Sequence, residues 1–548
     1  MPEVDAQARV ARDSLAGLLY PTPTVRATFE GELATIVAAT NQPRAGAVAA
    51  TPEPTPSVPI PASATPEPAA VATARAEQGA VSTPCSFDIP GGFREGKHLE
   101  CFYVTVPENR AAPEHGTLRL LVVRFKSRAP QAAEPLFYLS GGPGGSGVKE
   151  GLGLLSAVLA PFLSARDVIL IDQRGTGRSQ PSMSCGEAYD LRIEFSGRRK
   201  KTDARITKYY DALRECARRL QEDGRDFSAY NTVENAADID AVRRALGYKK
   251  FLAWGASYGA TLGLTLMRNH GDHLSGVILE AVAPPQINLL KERAFAVDHA
   301  LGTLFEGCRS DAVCNDRYPN LEQDLYKTVD RLNKRPIDVP GLQAGAMVKI
   351  DGGDLVDLLI ASLYSSEMLP YLPKMIANMN SGDYRALARV YQFADFTGDS
   401  IAAGMHFAVM CAEEAAHTSA AEVRAGFESR SQLSSIFASN GYDDLFDLCK
   451  RWGTIAVADA QLEPVTSSIP TLVLNGKYDP VTPAVWGDLA AATLSNSYVF
   501  TFDGAGHGVA VAGQRCALSL VRAFVKNPAA RPDEKCVTTV KPLKFFVD

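Results

Sequence analysis

The chain has 548 residues, enough for two or three domains or for one large domain carrying an insertion. It is 46% hydrophobic and 22% charged, the range of an ordinary globular protein, and its formal net charge of −6 excludes the basic footprint of a nucleic-acid binder. No apolar run approaches the roughly 18 residues of a membrane span, and no basic n-region with a following apolar h-region opens the chain as a signal peptide would.

Residues 1–40 carry only a weak helical pattern, and 41–84 include "TPEPTPSVPIPASATPEPAAVATA". That composition buries too little apolar surface to offset its ordering entropy, so residues 1–84 are expected to be a disordered N-terminal segment and linker. From Cys85 onward short apolar runs alternate with helical patterns. Strands are predicted at 100–106, 118–125, 136–142, 167–172, 250–255, 276–281, 471–476 and 497–502. The later runs are nearly continuously apolar, as in parallel strands buried on both faces. "VENAADIDAVRRALG" reads as an amphipathic helix ending at Gly247. The fold class is therefore α/β with a mostly parallel sheet. Residues 286–455 lose the alternation and read as mostly helical, including "DLVDLLIASLY" and "DYRALARVYQFA". They are expected to form a cap inserted between two parts of the core, 85–285 and 456–548.

Ten cysteines without a C-x-x-C pair argue against zinc and for disulfides. Pairing sequence neighbours gives Cys85–Cys101, Cys185–Cys216, Cys308–Cys314, Cys411–Cys449 and Cys516–Cys536, although spacing does not fix connectivity. The competing reading is a set of buried free thiols. Disulfides imply an extracytoplasmic protein, secreted or attached to the cell envelope, whose export signal is not part of this chain.

"WGASYGATLG" (254–263) brackets Ser257 with Gly255 and Gly259. G-x-S-x-G is a weak motif alone, but here an apolar strand precedes it and a helix pattern follows, the context of a nucleophile elbow. A serine hydroxyl needs a base, and in this architecture the order is Ser, acid, His. His507, in the turn-rich "FDGAGHG", is the one histidine beyond the strand "TLVLNG". Asp479 in "NGKYDPVTP" is the expected acid, with Glu280 and Asp503 as rivals. The oxyanion donors are expected to be the backbone N–H of Tyr258 and that of Gly141 or Gly142 in "SGGPGGSG" (140–147). A phosphate loop is disfavoured because no G-K-[ST] follows, which leaves a flexible surface loop as the other reading. In "IDQRGTGRS" (171–179), Asp172 and Arg174 are expected to brace the oxyanion loop through an ion pair and turn hydrogen bonds.

These stretches, in this order from about residue 85 to 540, resemble the α/β-hydrolase fold and within it the proline iminopeptidase and tripeptidyl aminopeptidase group of serine peptidases. "CAEEA" (411–415) and the closing Cys516–Cys536 segment resemble the secreted bacterial tripeptidyl branch, whose C-terminal region is TAP-like. Ser140 stands where proline iminopeptidases commonly have His, which tilts the resemblance the same way. The resemblance implies an exopeptidase acting on peptide substrates through an acyl-enzyme, with no metal and no cofactor. Such an enzyme must bind an ammonium group, for which Glu413 and Glu414 are candidates, solvated surface glutamates being the ordinary alternative. A monomer is compatible with all of this. The competing functions are an esterase or amidase on small acyl substrates and a catalytically silent binding protein on the same scaffold.

Overall fold

The computed structural model describes residues 78–188, 202–340, 347–387, 401–539 and 542–547. Most of the expected N-terminal linker, residues 1–77, lies outside the described residues, as does much of "DYRALARVYQFA". The last part of that linker, Gln78–Thr83, instead forms an edge strand, β1, paired antiparallel with the next. The sheet thus begins before Cys85, because a backbone ladder stabilises a stretch that has little apolar surface of its own.

The remaining strands of the sheet are β2 (Leu99–Pro107), β3 (Thr117–Phe125), β4 (Ala133–Leu139), β5 (Arg166–Ile171), β6 (Phe251–Ala256), β7 (Leu274–Glu280), β10 (Thr471–Gly476) and β11 (Ser497–Phe502). Their order is β1-β2-β3-β5-β4-β6-β7-β10-β11. β5 through β11 run parallel, and β1 to β3 form an antiparallel edge. The continuous apolar runs have the predicted consequence. In β6, Leu252 and Trp254 enter one core, and Phe251 and Ala253 enter the opposite one. Helix α1 (Gly147–Leu154) and the C-terminal helix Arg515–Lys526 cover the first face. Helices α2 (Thr232–Ala245) and α3 (Tyr258–His270) cover the second.

Gly147–Ser164 is long and apolar enough to cross a membrane, contrary to the expectation that no such run exists. It is broken into α, π and 3-10 turns, and its Leu155, Val158, Leu159 and Phe162 are buried against the strands. Its hydrophobicity is that of a core element.

Between β7 and β10 the chain leaves the sheet for a run of helices, including α4 (Arg293–Ser310), α5 (Gly352–Tyr364) and α6 (Ala403–Val409). An unpredicted two-stranded ribbon, β8 (Ile337–Pro340) with β9 (Met347–Ile350), lies within it. The excursion has its own core, and Thr202–Glu222 joins it: Tyr210, Leu213 and Cys216 share that cluster with Phe407 and Trp452. Part of the segment assigned from sequence to the first half of the sheet domain therefore packs with the inserted helices, because its apolar stripe finds partners there.

The ten cysteines form five bonded pairs: Cys85–Cys101, Cys185–Cys216, Cys308–Cys314, Cys411–Cys449 and Cys516–Cys536. None is free.

Candidate active site

Ser257 sits between the end of β6 and the start of α3 with φ 57° and ψ −126°, a conformation costly for a side-chain-bearing residue. The bracketing glycines are required by contact distance. A Cβ on Gly255 would fall 2.0 Å from the Gly259 carbonyl oxygen, and one on Gly259 would fall 2.0 Å from that of Leu139. Gly259→Ala is therefore expected to cost about 3 kcal/mol of stability, seen as a lowered thermal midpoint; a variant as stable as the parent would show that the elbow relaxes without penalty.

At the carboxyl ends of β10 and β11, two loops bring Asp479 and His507 together. Asp479 is fully buried, and its Oδ2 lies 2.7 Å from His507 Nδ1. The Asp479 Oδ1 accepts the N–H groups of Val481 and Thr482 at 2.8 and 2.9 Å. Thr482 Oγ1 donates to Oδ2 at 2.7 Å and stands 3.2 Å from the imidazole Nδ1. These bonds leave the carboxylate one geometry. The other ring nitrogen, Nε2, is buried and has no hydrogen-bond partner among the described residues, which leaves it to take a proton. His507 is also gripped by the inserted helices: its N–H donates to the Tyr364 carbonyl at 3.0 Å, and the Tyr364 ring lies on the imidazole with centroids 4.3 Å apart. Neither Thr482 nor Tyr364 carries a sequence signal beyond proximity to the motifs.

The rival acids are otherwise engaged. Asp503 pairs with Lys477 at 3.2 Å. Glu280 is fully buried and accepts the N–H groups of Ala510 and Val511 and the indole N–H of Trp254.

The glycine loop Ser140–Ser146 turns back beside the serine. A Cβ on Gly141 would lie 3.2 Å from that of Ser257. Of the two candidate donors, Gly142 lines the cavity in front of Ser257. Gly141 is not among the residues that line it, and nearby Glu150 accepts the Tyr138 hydroxyl at 2.7 Å. The loop is braced differently from expectation. Asp172 Oδ1 accepts the Ser146 hydroxyl at 2.6 Å and the Val148 N–H at 3.0 Å, while Gln173 Nε2 donates to the Ser140 carbonyl at 3.1 Å. Arg174 contributes nothing to this brace. Its buried guanidinium pairs with Asp238 at 2.8 Å and Glu234 at 3.0 Å on α2, where desolvation is offset by two carboxylates.

The cavity has about 830 Å³ of empty space. It is lined by Ser257, Tyr258, Gly142 and Thr482 and, from the stretch between β7 and β10, by Val409, Met410, Glu413, Glu414 and Leu462. Glu413 is tied to Thr232, whose Oγ1 donates at 2.7 Å and also contacts the Tyr258 hydroxyl at 3.0 Å. Glu414 accepts the Leu289 N–H at 2.6 Å. Burial pushes Glu413 up to about 7 and, with help from the Glu413 charge, Glu414 up to about 8. Two carboxylates with no cationic side chain lining the cavity beside them form a site that favours an incoming cation.

The family model described as "alpha/beta hydrolase fold" matches residues 134–309, and the one described as "TAP-like protein" matches residues 434–536. The chain is 26% identical to serine protease Hip1 of Mycobacterium tuberculosis over 483 residues, covering 83% of this chain and 90% of that protein. It is 30% identical over 217 residues to tripeptidyl aminopeptidase of Streptomyces lividans, covering 36% of this chain and 39% of the relative. Proline iminopeptidase of Neisseria meningitidis is 26% identical over 148 residues, covering 27% of this chain and 32% of the relative. With the parallel sheet and the serine elbow, these matches place the chain in the α/β-hydrolase fold, among the serine peptidases of the tripeptidyl aminopeptidase-like group.

Proposed function

We propose that this protein is an extracytoplasmic exopeptidase that releases residues from free peptide N-termini through an acyl-enzyme at Ser257. His507 takes the serine proton through Nε2 and later returns it to the leaving amine, Asp479 holds the imidazolium, and the N–H groups of Tyr258 and Gly142 receive the oxyanion. The single observation that carries the exopeptidase reading is the Glu413–Glu414 pair facing the same cavity as Ser257. A half-buried double carboxylate opposite a nucleophile suits a peptide ammonium and has no role toward a neutral acyl ester. Five disulfides support an oxidising location, and the inserted helices act as a cap that restricts access to chain ends.

The test compares unblocked peptides with their N-acetylated forms, products being identified by mass spectrometry. Only unblocked peptides should be trimmed; equal turnover of blocked peptides, or turnover of small esters alone, would overturn the reading. Glu413→Gln and Glu414→Gln should each weaken kcat/KM for unblocked peptides about 100-fold, since each leaves a buried charge without its counter-charge. The raised carboxyl pKa values set the sign of the pH dependence. Both groups are ionised above about 8 and neutral well below 7, so 1/KM, referred to the protonated peptide, should fall as pH drops from 8 to 6. A KM independent of pH across that window would remove the carboxylates from substrate binding.

A further inference from the structure

Glu280 is a fully buried acid that the proposed mechanism leaves unused, and it stands at the junction of the parts that must stay in register. Its carbonyl accepts the N–H of Ser257 at 2.9 Å, and its backbone pairs with Ala256 on one side and Leu474 on the other. Its side chain reaches into the loop that follows His507. Oε1 accepts the Ala510 N–H and, at 3.2 Å, that of Val511, and a Cβ on Gly508 would lie 3.9 Å from it. Oε2 accepts the indole N–H of Trp254, three residues before the nucleophile, at 3.1 Å. All three side-chain partners donate and none accepts, which is the arrangement a carboxylate anion requires.

We infer that Glu280 is a positioning residue that ties the histidine loop to the nucleophile elbow and, as a buried anion bonded to the loop that follows His507, favours the imidazolium formed when Ser257 loses its proton. This rests on the reading of Ser257 and His507 as nucleophile and base. The geometry explains why a carboxylate in reach of the triad is not its acid: both oxygens are committed to N–H groups, and His507 Nδ1 already faces Asp479. The groups around His507 are Asp479 and Thr482 from the loop after β10, Tyr364 from the end of α5, and Glu150 from α1. Arg293 of α4 acts on Tyr364, and the Tyr138 hydroxyl occupies Glu150. Among the described residues, Glu280 and Glu150 are carboxylates beyond Asp479 whose charge acts on the imidazole. Burial pushes Glu280 up to about 7.

The experiment measures the rate of Ser257 labelling by a fluorophosphonate against pH, in the parent and in Glu280→Gln and Glu280→Asp. Labelling needs an activated serine but no peptide ammonium, so it is independent of the exopeptidase reading, which fails separately if unblocked peptides are not trimmed. In E280Q the labelling rate should fall about 30-fold and its acidic limb should move to lower pH by about half a unit or more, because an anion favouring imidazolium has gone. E280D keeps the charge but shortens the reach, so its rate should fall while its limb moves less than that of E280Q. An E280Q profile superimposable on the parent would overturn the proposal. So would two variants that lose the fold, or a fall in rate with no movement of the limb, either of which would assign Glu280 to structure alone.

Discussion

Replacing Ser257 with alanine should lower kcat about a million-fold, to the residue of activity that binding and oxyanion donors provide without a nucleophile. The protein should remain folded. Alanine retains the Cβ, adopts the same φ of 57° at the same cost as serine, and leaves the N–H bond to Glu280 in place. Stability and substrate affinity are therefore expected to stay near those of the parent, and covalent labelling should disappear. An Ser257→Ala protein with more than about a hundredth of the parent rate would mean that another group attacks the substrate, and the assigned triad would be wrong.

Asp479→Asn should cost about 10⁴ in kcat. Oδ1 accepts two backbone N–H groups, from Val481 and Thr482, while Oδ2 accepts the Thr482 hydroxyl and faces His507 Nδ1. In asparagine one of these atoms becomes an NH₂. Directed at the two backbone N–H groups, it would set donors against donors, so the amide should turn its oxygen there and its NH₂ toward His507. Nδ1 must then accept, which leaves the proton on Nε2 and removes the lone pair that Ser257 needs. Shape is kept and the tautomer is inverted. A kcat within tenfold of the parent would show that the imidazole is oriented by other contacts, with the Tyr364 carbonyl and ring the first to examine.

Local rules explain why much of this was legible in the sequence. β6 and β10 are nearly continuous apolar runs, as expected of strands buried on both faces, and both lie inside the sheet with a paired strand on either side. Gly255 and Gly259 were readable because contact distances at the elbow exclude any side chain, a constraint carried entirely by neighbours in sequence and the adjoining strand end. Asp479 and His507 followed from their places just beyond strand ends, where loops of an open parallel sheet converge. Other features had no local signature. Arg174 sits two residues from Asp172 yet turns to α2, and the carboxylates that pair with it come from a helix some 60 residues later. Gly141 and Gly142 stand side by side in one glycine motif, and only the folded structure shows that Gly142 lines the cavity.

The order of strand, serine, acid and histidine determined by itself that the chain reads as a serine hydrolase and which three side chains are its candidates, because backbone sterics and sheet topology act through short stretches. Which groups hold those side chains, and what the cavity admits, was decided only by the tertiary structure. Tyr364, Thr482 and Glu280 reach His507 or its loop, and Glu413 and Glu414 line the same cavity as Ser257, through contacts between segments tens to hundreds of residues apart. Electrostatic and hydrogen-bonding effects act across space, and a linear pattern does not encode that proximity.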